Sequence, residues 1–329
     1  MDKKVVYSAI QPSGSLTIGN YLGALSNFSD LQKEYQCIYC VANMHAITVP
    51  QNPADLRKRT LDLIALYVAC GIDPKESILY IQSQVPEHTE LAWVLNTITS
   101  VGQLNRMTQF KDKSKKQKEV HAGLLNYPVL MVADILLYQS SFVPVGEDQR
   151  QHIELTRDIA ERFNTRYSPT FTIPDIMAPK VGAKIMSLQD PTSKMSKSDP
   201  DENAFILILD EPDVIRRKIK RAVTDSKGTI AYTDEQPGVK NLLDIYSSFK
   251  HISPEEAERE FKSAGYGELK EAVGEAVVEG LAPVQERFHA IRGDKEQLEA
   301  ICREGAEKAS YLAQKTLRKV YRKVGLVQF

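Results

Sequence analysis

The chain has 329 residues, 42% hydrophobic and 26% charged, which is enough for a sizeable core and two domains. Its 42 lysines and arginines nearly cancel 43 aspartates and glutamates, so overall charge argues neither for nor against nucleic acid and any polyanion contact must come from local clusters. No apolar run approaches the roughly 20 residues that span a bilayer, and Met1 to Tyr7 lacks the apolar stretch of a secretory signal, so a membrane role is excluded and a cytoplasmic location expected.

In chain order, Val5 to Ile10, Cys37 to Ala42 and Ile78 to Ile81 read as buried strands. Between them, Asn20 to Tyr35 and Ala54 to Ala69 read as helices. In the second, Leu56, Leu63, Ile64, Tyr67 and Val68 recur at helical spacing, and Gly71 ends the run. Such alternation predicts right-handed crossovers and a parallel sheet of α/β type. Ligands of these sheets sit at the carboxyl ends of the strands, where Gln11 and His45 fall. Cys37 and Cys40 have a metal-like spacing, but no second Cys/His pair is close in sequence. On a strand, residues three apart point to opposite faces, so both read as small apolar core residues and no protein metal site is expected. From Phe205 onward the pattern turns helical, at Glu211 to Ala222, Leu269 to Ile291 (with Pro283 predicted to kink or break it) and Lys295 to Val324. The shift after Asp199-Pro200 predicts an α/β domain over 1–203, with a helical insertion around 105–140, and a helical domain over 204–329.

Two segments carry chemistry. In Ile10 to Gly23, a strand ends in a Pro/Ser/Gly turn and opens a helix near Gly19, whose unpaired N–H groups suit phosphate; a plain turn is the alternative reading. In Lys194-Met195-Ser196-Lys197-Ser198, two lysines three apart suit a loop that clamps a polyphosphate, and a solvated surface loop is the alternative.

Together, in order and separation, these segments resemble the HIGH-type and KMSKS signatures of class I aminoacyl-tRNA synthetases. The second is a literal KMSKS, and Thr17-Ile18-Gly19-Asn20 has the form seen in the tryptophanyl branch. The resemblance implies a Rossmann-type catalytic domain over 1–203 and a helical domain for the tRNA anticodon end over 204–329. It implies ATP-dependent activation of L-tryptophan, transfer to tRNA(Trp), Mg²⁺ on the ATP phosphates and a homodimer. It further implies that Gln11, Ser13, Thr17, Gly19, Asn20, Gly146, Asp148, Ile185, Lys194, Met195, Ser196, Lys197 and Ser198 hold ATP. Lys111, Lys194, Lys197, Thr17 and Asn20 are the expected catalytic set, with closure of the Lys194 to Ser198 loop gating the step.

An indole needs an apolar slot and one acceptor for its N–H. In Gly123 to Leu136, Met131, Val132 and Ile135 can supply walls, while Asp134 is a lone carboxylate in an apolar stretch. A buried Asp is costly without a partner, and the resemblance implies that the indole is that partner; a local cap or pair is the alternative. By position in the family, Tyr127 and Gln149 should hold the substrate ammonium. His45 should lie near its carboxylate, and Tyr7, Ala9, Val143 and Val145 should line the pocket. His152 reads as a packing residue. Lys111, Lys113, Lys115, Lys116 and Lys118 form the densest basic cluster, and the resemblance places Lys111 near the phosphates and the rest near the tRNA acceptor end. Lys315, Arg318, Lys319, Arg322 and Lys323 fall on one helix face, either an anticodon-end contact or simple surface. The sequence departs from the family at Ala9, commonly glycine, and at Asn43, commonly acidic. A tyrosyl-tRNA synthetase and a non-catalytic RNA-binding paralogue are the alternative functions.

Overall fold

The computed structural model describes residues 3–115, 117–177 and 184–328, without the side chains of Ala24 and Asn27. Lys116 of the basic cluster therefore lies outside the described residues. Five parallel strands form the sheet among these residues: β1 (Val5–Ile10), β2 (Gln36–Val41), β3 (Ile78–Ile81), β4 (Phe142–Pro144) and β5 (Asp175–Met177). Their order is β3-β2-β1-β4-β5, a doubly wound arrangement. The chain reverses its direction of travel across the sheet between β1 and β4, which is where ligands of such folds bind.

The first helices are α1 (Ile18–Asn20), α2 (Ser26–Glu34), α3 (Asn43–Ala46), α4 (Pro53–Ala69) and α5 (Glu87–Asn96). They are followed by α6 (Val101–Arg106), α7 (Thr108–Ser114), α8 (Ala122–Leu136) and α9 (Arg150–Arg166). The carboxyl-terminal part adds α10 (Pro212–Lys220), α11 (Pro237–Lys250), α12 (Pro254–Glu260), α13 (Tyr266–Gly293) and α14 (Lys295–Val324). Local chemistry explains several boundaries. Asn52 caps α4 by accepting from the N–H groups of Ala54 (2.9 Å) and Asp55 (3.2 Å), with Pro53 in the first turn. The helix expected over Asn20 to Tyr35 is interrupted by a widened turn at Tyr21–Leu25, so α1 and α2 are separate pieces. Pro283 does not break α13. It is exposed, so water can take up the carbonyl that its missing N–H leaves unpaired.

Alternate side chains of the strands enter two cores. Val6, Cys37, Tyr39, Val41, Leu79 and Ile81 pack on one face with α2, α4, α10, α11 and α13. Tyr7, Ile38, Cys40 and Tyr80 pack on the other with α5, α8 and α9. Cys37 and Cys40 thus lie on opposite faces, both buried. Helix α14 serves both cores, through Leu298 and Cys302 in the first and Ala309, Ala313, Leu317 and Val320 in the second. It covers the edge strand β3, and the approach is so close that a Cβ at Gly305 would lie 1.7 Å from the carbonyl oxygen of Leu79. Residues on both sides of position 203 therefore share each core.

Candidate active site at the strand switch point

β1 and β4 are registered at Val6 and Phe142, and β1 runs on to Ile10. The two strands part toward their carboxyl ends, and α3, α7 and α8 roof the gap. The result is a cavity of about 340 Å³. Of the residues expected to line a tryptophan slot, Tyr7, Ala9, His45, Tyr127, Met131, Asp134, Ile135, Val143, Val145 and Gln149 line it, together with Gln11, whereas Val132 is turned into the adjoining core and does not. Ala9 sits in the middle of a sheet yet is accessible, because its methyl opens into this space. Lys113 and Gln109 of α7 also line the cavity, whereas Lys111 is exposed on the same helix and does not.

Asp134 is the polar centre of the floor and only 1% exposed. It is not alone, as the sequence suggested. His45 Nε2 lies 2.7 Å from its Oδ2, His88 Nδ1 lies 2.6 Å from Oδ1, and Gln82 Nε2 donates to Oδ1 at 2.8 Å. Burial pushes this carboxyl upward, but the charges and hydrogen bonds of His45 and His88 outweigh it, so Asp134 is held well below the usual carboxylate range. Its burial is satisfied within the protein and does not by itself require a ligand. Gln82 and His88 were missed in the sequence. Gln82 directly follows β3, so the strand-end rule that picked out Gln11 and His45 would have found it.

His152 does more than pack. Its Nε2 is 3.0 Å from the Tyr127 hydroxyl, and its buried Nδ1 has no hydrogen-bond partner among the described residues. Burial, with the charges of Lys113 and His45, pushes this imidazole down to about 4, so it is neutral at pH 7. Burial also pushes the Tyr127 hydroxyl up to about 12. The Lys113 ammonium lies 4.7 Å from the centre of the Tyr127 ring. Asn43, one of the family departures, donates to Ser83 Oγ (2.8 Å) and accepts from the Ser83 N–H (3.1 Å), two hydrogen bonds that tie it to the turn after β3.

The two signature segments meet. Lys197 Nζ donates to Ser13 Oγ at 3.2 Å. Gly14 has φ +135°, a conformation side chains rarely adopt, so its backbone favours glycine; a Cβ there would lie 3.0 Å from Lys197 Nζ, a flexible tip that can give way. Thr17 and Asn20 form a capping box at the start of α1, with the Thr17 hydroxyl 3.0 Å from Asn20 Oδ1. A Cβ on Gly19 would make ordinary contacts with Ile185 and Met195 at 3.6 and 3.8 Å, so protein packing alone does not demand glycine there. The lysine segment is pinned from below. Met195 is buried, its N–H donates to the Ile185 carbonyl at 3.1 Å, and Met186 and Lys194 form an antiparallel bridge. Lys194, Ser196 and Ser198 are left exposed. Burial and the charge of Arg59 lower the pKa of Lys197, marking a cationic spot suited to an anion. Gly146 caps the turn into α9, and Asp148 Oδ2 accepts from Gln149 Nε2 at 2.7 Å.

The family model for class I tRNA synthetases of the tryptophan and tyrosine type (W and Y) matches residues 2–282. The chain belongs to this family. As a class I tRNA synthetase it is 59% identical over 326 residues to a tryptophan–tRNA ligase of Clostridium perfringens, covering 99% of this chain and 98% of that protein. Among solved structures it is similar to the tryptophanyl-tRNA synthetase of Mycoplasma pneumoniae, with TM-score 0.89, 35% identity and coverage of 99% of this chain and 98% of that one. It is also similar to the Campylobacter jejuni tryptophanyl-tRNA synthetase complexed with ADP and tryptophan, with TM-score 0.86, 34% identity and coverage of 98% and 100%. The synthetase's basic carboxyl-terminal face is partly committed. Lys323 Nζ donates to the Pro169 carbonyl (2.6 Å) and Thr170 Oγ1 (2.7 Å), while Lys315, Arg318, Lys319 and Arg322 are exposed.

Proposed function

We propose that this synthetase is a tryptophan–tRNA ligase that activates L-tryptophan with ATP and esterifies it to tRNA(Trp). The observation that carries the reading is one apolar cavity with a single carboxylate on its floor, Asp134, beside the Ser13 and Lys197 junction of the two signature segments. A planar ring with one N–H fits such a floor. Oδ1 already accepts two hydrogen bonds and Oδ2 one, which leaves an acceptor position on Oδ2.

In the reaction, a carboxylate oxygen of tryptophan attacks the α-phosphorus of ATP in line. The bond from that phosphorus to the β-phosphate oxygen breaks, and pyrophosphate leaves with the electron pair. The 2′-hydroxyl oxygen of the terminal adenosine of tRNA then attacks the carboxyl carbon of the adenylate. The bond from that carbon to the phosphate oxygen breaks, AMP leaves with the electron pair, and the hydroxyl proton is lost to the departing phosphate or to solvent. No side chain becomes acylated; the protein positions reactants and neutralises charge. Tyr127 and Gln149 take the ammonium, and His45 lies near the carboxylate. Gln11, Ser13, Thr17, Gly19, Asn20, Gly146, Asp148 and Ile185 seat the nucleotide. Lys194 and Lys197, with Lys111 closing from α7, meet the phosphates. Mg²⁺ would arrive on the ATP phosphates, as such ions usually do, rather than in a dedicated all-protein cage. Bound there, it supplies further charge neutralisation.

The helical residues 204–329 meet the anticodon end of tRNA in this reading, and the enzyme works in the cytoplasm as a homodimer. The exposed Ile47, Trp93 and Val101, at 60%, 73% and 62%, offer apolar surface for a second copy. Exchange of labelled pyrophosphate into ATP tests the assignment. Tryptophan should drive it at least a hundredfold better than tyrosine; preference for tyrosine, or no exchange with either, would refute it.

A further inference from the structure

The two oxygens of Asp134 are held unlike each other. Oδ2 meets His45, which lines the cavity, while Oδ1 meets Gln82 and His88, which do not. An ionised carboxylate only accepts, so His88 must carry a proton on Nδ1. The His88 ring is completely buried, and its Nε2 lies 2.9 Å from the Tyr80 hydroxyl and 3.0 Å from that of Tyr138. Those rings pack in turn on a cavity wall. Tyr138 stacks on Tyr7 with centroids 5.6 Å apart and planes at 12°, and the hydroxyls of Tyr7 and Tyr80 are 3.5 Å apart. His88 is thus clamped at both ring nitrogens, and turning it would strand several buried polar groups.

We propose that His88 is a positioning residue for amino-acid selection: with Gln82 it occupies Oδ1, so the open acceptor of Asp134 is presented on Oδ2, toward the cavity. The site then admits a ring bearing an N–H and penalises an isostere without one. This rests on the reading of Asp134 as the indole acceptor. Loss of the His88 donor frees the carboxylate to turn toward the core, and the selectivity for N–H falls with little effect on nucleotide.

The test is pyrophosphate exchange by the full chain with tryptophan and with 3-benzothienylalanine, in which sulfur replaces the indole N–H. His88→Leu fills volume without donating, whereas His88→Asn keeps an amide donor near the Nδ1 position. His88→Leu should lower the ratio of kcat/KM for tryptophan over benzothienylalanine at least tenfold, mainly through the KM for tryptophan, with the KM for ATP within twofold. His88→Asn should restore the ratio to within about threefold of wild type. A merely structural role would depress both amino acids alike, and an unchanged ratio in His88→Leu, or failure of His88→Asn to restore it, overturns the proposal. Asp134→Asn separates the two readings: if it leaves the ratio intact, the assignment of Asp134 fails as well, and if it collapses the ratio while His88→Leu does not, only the role of His88 fails. Should the Leu variant not fold, the wild-type chain labelled with ¹⁵N-histidine gives a second readout. His88 should be protonated at Nδ1, with a resonance that shifts on adding tryptophan more than on adding benzothienylalanine; an unprotonated Nδ1 or equal shifts overturn the proposal.

Discussion

The floor of the cavity and the signature junction beside it solve opposite problems. Around Asp134 every polar partner is a short, buried side chain held by others, and the hydrogen bonds gain from a low local dielectric. At the junction, charge is carried by long side chains at the surface: Lys194 is exposed, and Lys197 leans on Ser13. Exposed ammonium groups are screened and entropically costly to fix, but they can follow phosphate oxygens as these separate. Choosing an amino acid therefore falls to a rigid core, and handling the leaving group falls to lysine tips above a pinned loop.

The contrast can be broken by substitution. Lys197→Ala should have the largest effect. Removing one cation that meets developing charge should lower kcat by about 10²–10³, with the KM for tryptophan within about threefold, as stopped-flow measurement of adenylate formation would show. An equally large rise in tryptophan KM would mean that the two regions are not separable. Asp134→Asn should come next. It should lower kcat/KM for tryptophan roughly 30- to 150-fold, the worth of about 2–3 kcal/mol for a charged hydrogen bond, with the KM for ATP within twofold. A matching loss toward ATP would put Asp134 in the wrong region.

His152 sharpens the comparison through pH. Its folded pKa of about 4 lies below the ordinary 6.5, so the unfolded chain binds the extra proton first. The stability associated with neutral His152 is complete above about pH 6.5 and is lost as pH falls toward 4. Between pH 7 and pH 5 this amounts to about 1–2 kcal/mol. In urea unfolding, His152→Leu should shrink the difference between those two pH values by that amount; an unchanged difference would show that the imidazole is not kept neutral. The smallest effect is expected from Ala9→Gly. Removing one methyl from the cavity wall should change the KM for tryptophan by less than about tenfold, because one methyl is worth about 1 kcal/mol. A change in ATP affinity instead would mean that the wall belongs to the nucleotide.

Much of the fold was legible because its strands are short and apolar on both faces. Ile78–Ile81 was bounded correctly, and Lys295–Val324 followed from helical spacing alone. The interruption at Tyr21–Leu25 was not legible, because a widened turn keeps nearly the same apolar spacing as a regular helix. For the site, Tyr7, Ala9, His45, Tyr127, Met131, Asp134, Ile135, Val143, Val145 and Gln149 line one cavity, coming from β1, α3, α8, β4 and the turn before α9.

Residue spacing by itself gave the first three strands, the helix after Asn52 and the long carboxyl-terminal helices, that the strands run parallel, and which strand ends carry Gln11 and His45. That a glycine turn and a lysine pair serve one polyphosphate was implied by the resemblance of the two segments to family signatures, since spacing alone left a plain turn and a solvated loop open. Only the tertiary structure decided who stands beside whom. Asp134 reads as a lone acid in its own helix, yet His45 from 89 positions away and His88 from 46 positions away close on it once the sheet is wound. The physical reason is that local pattern sets the period and face of an element, whereas hydrogen-bond partners across a core depend on crossovers whose geometry no short window contains.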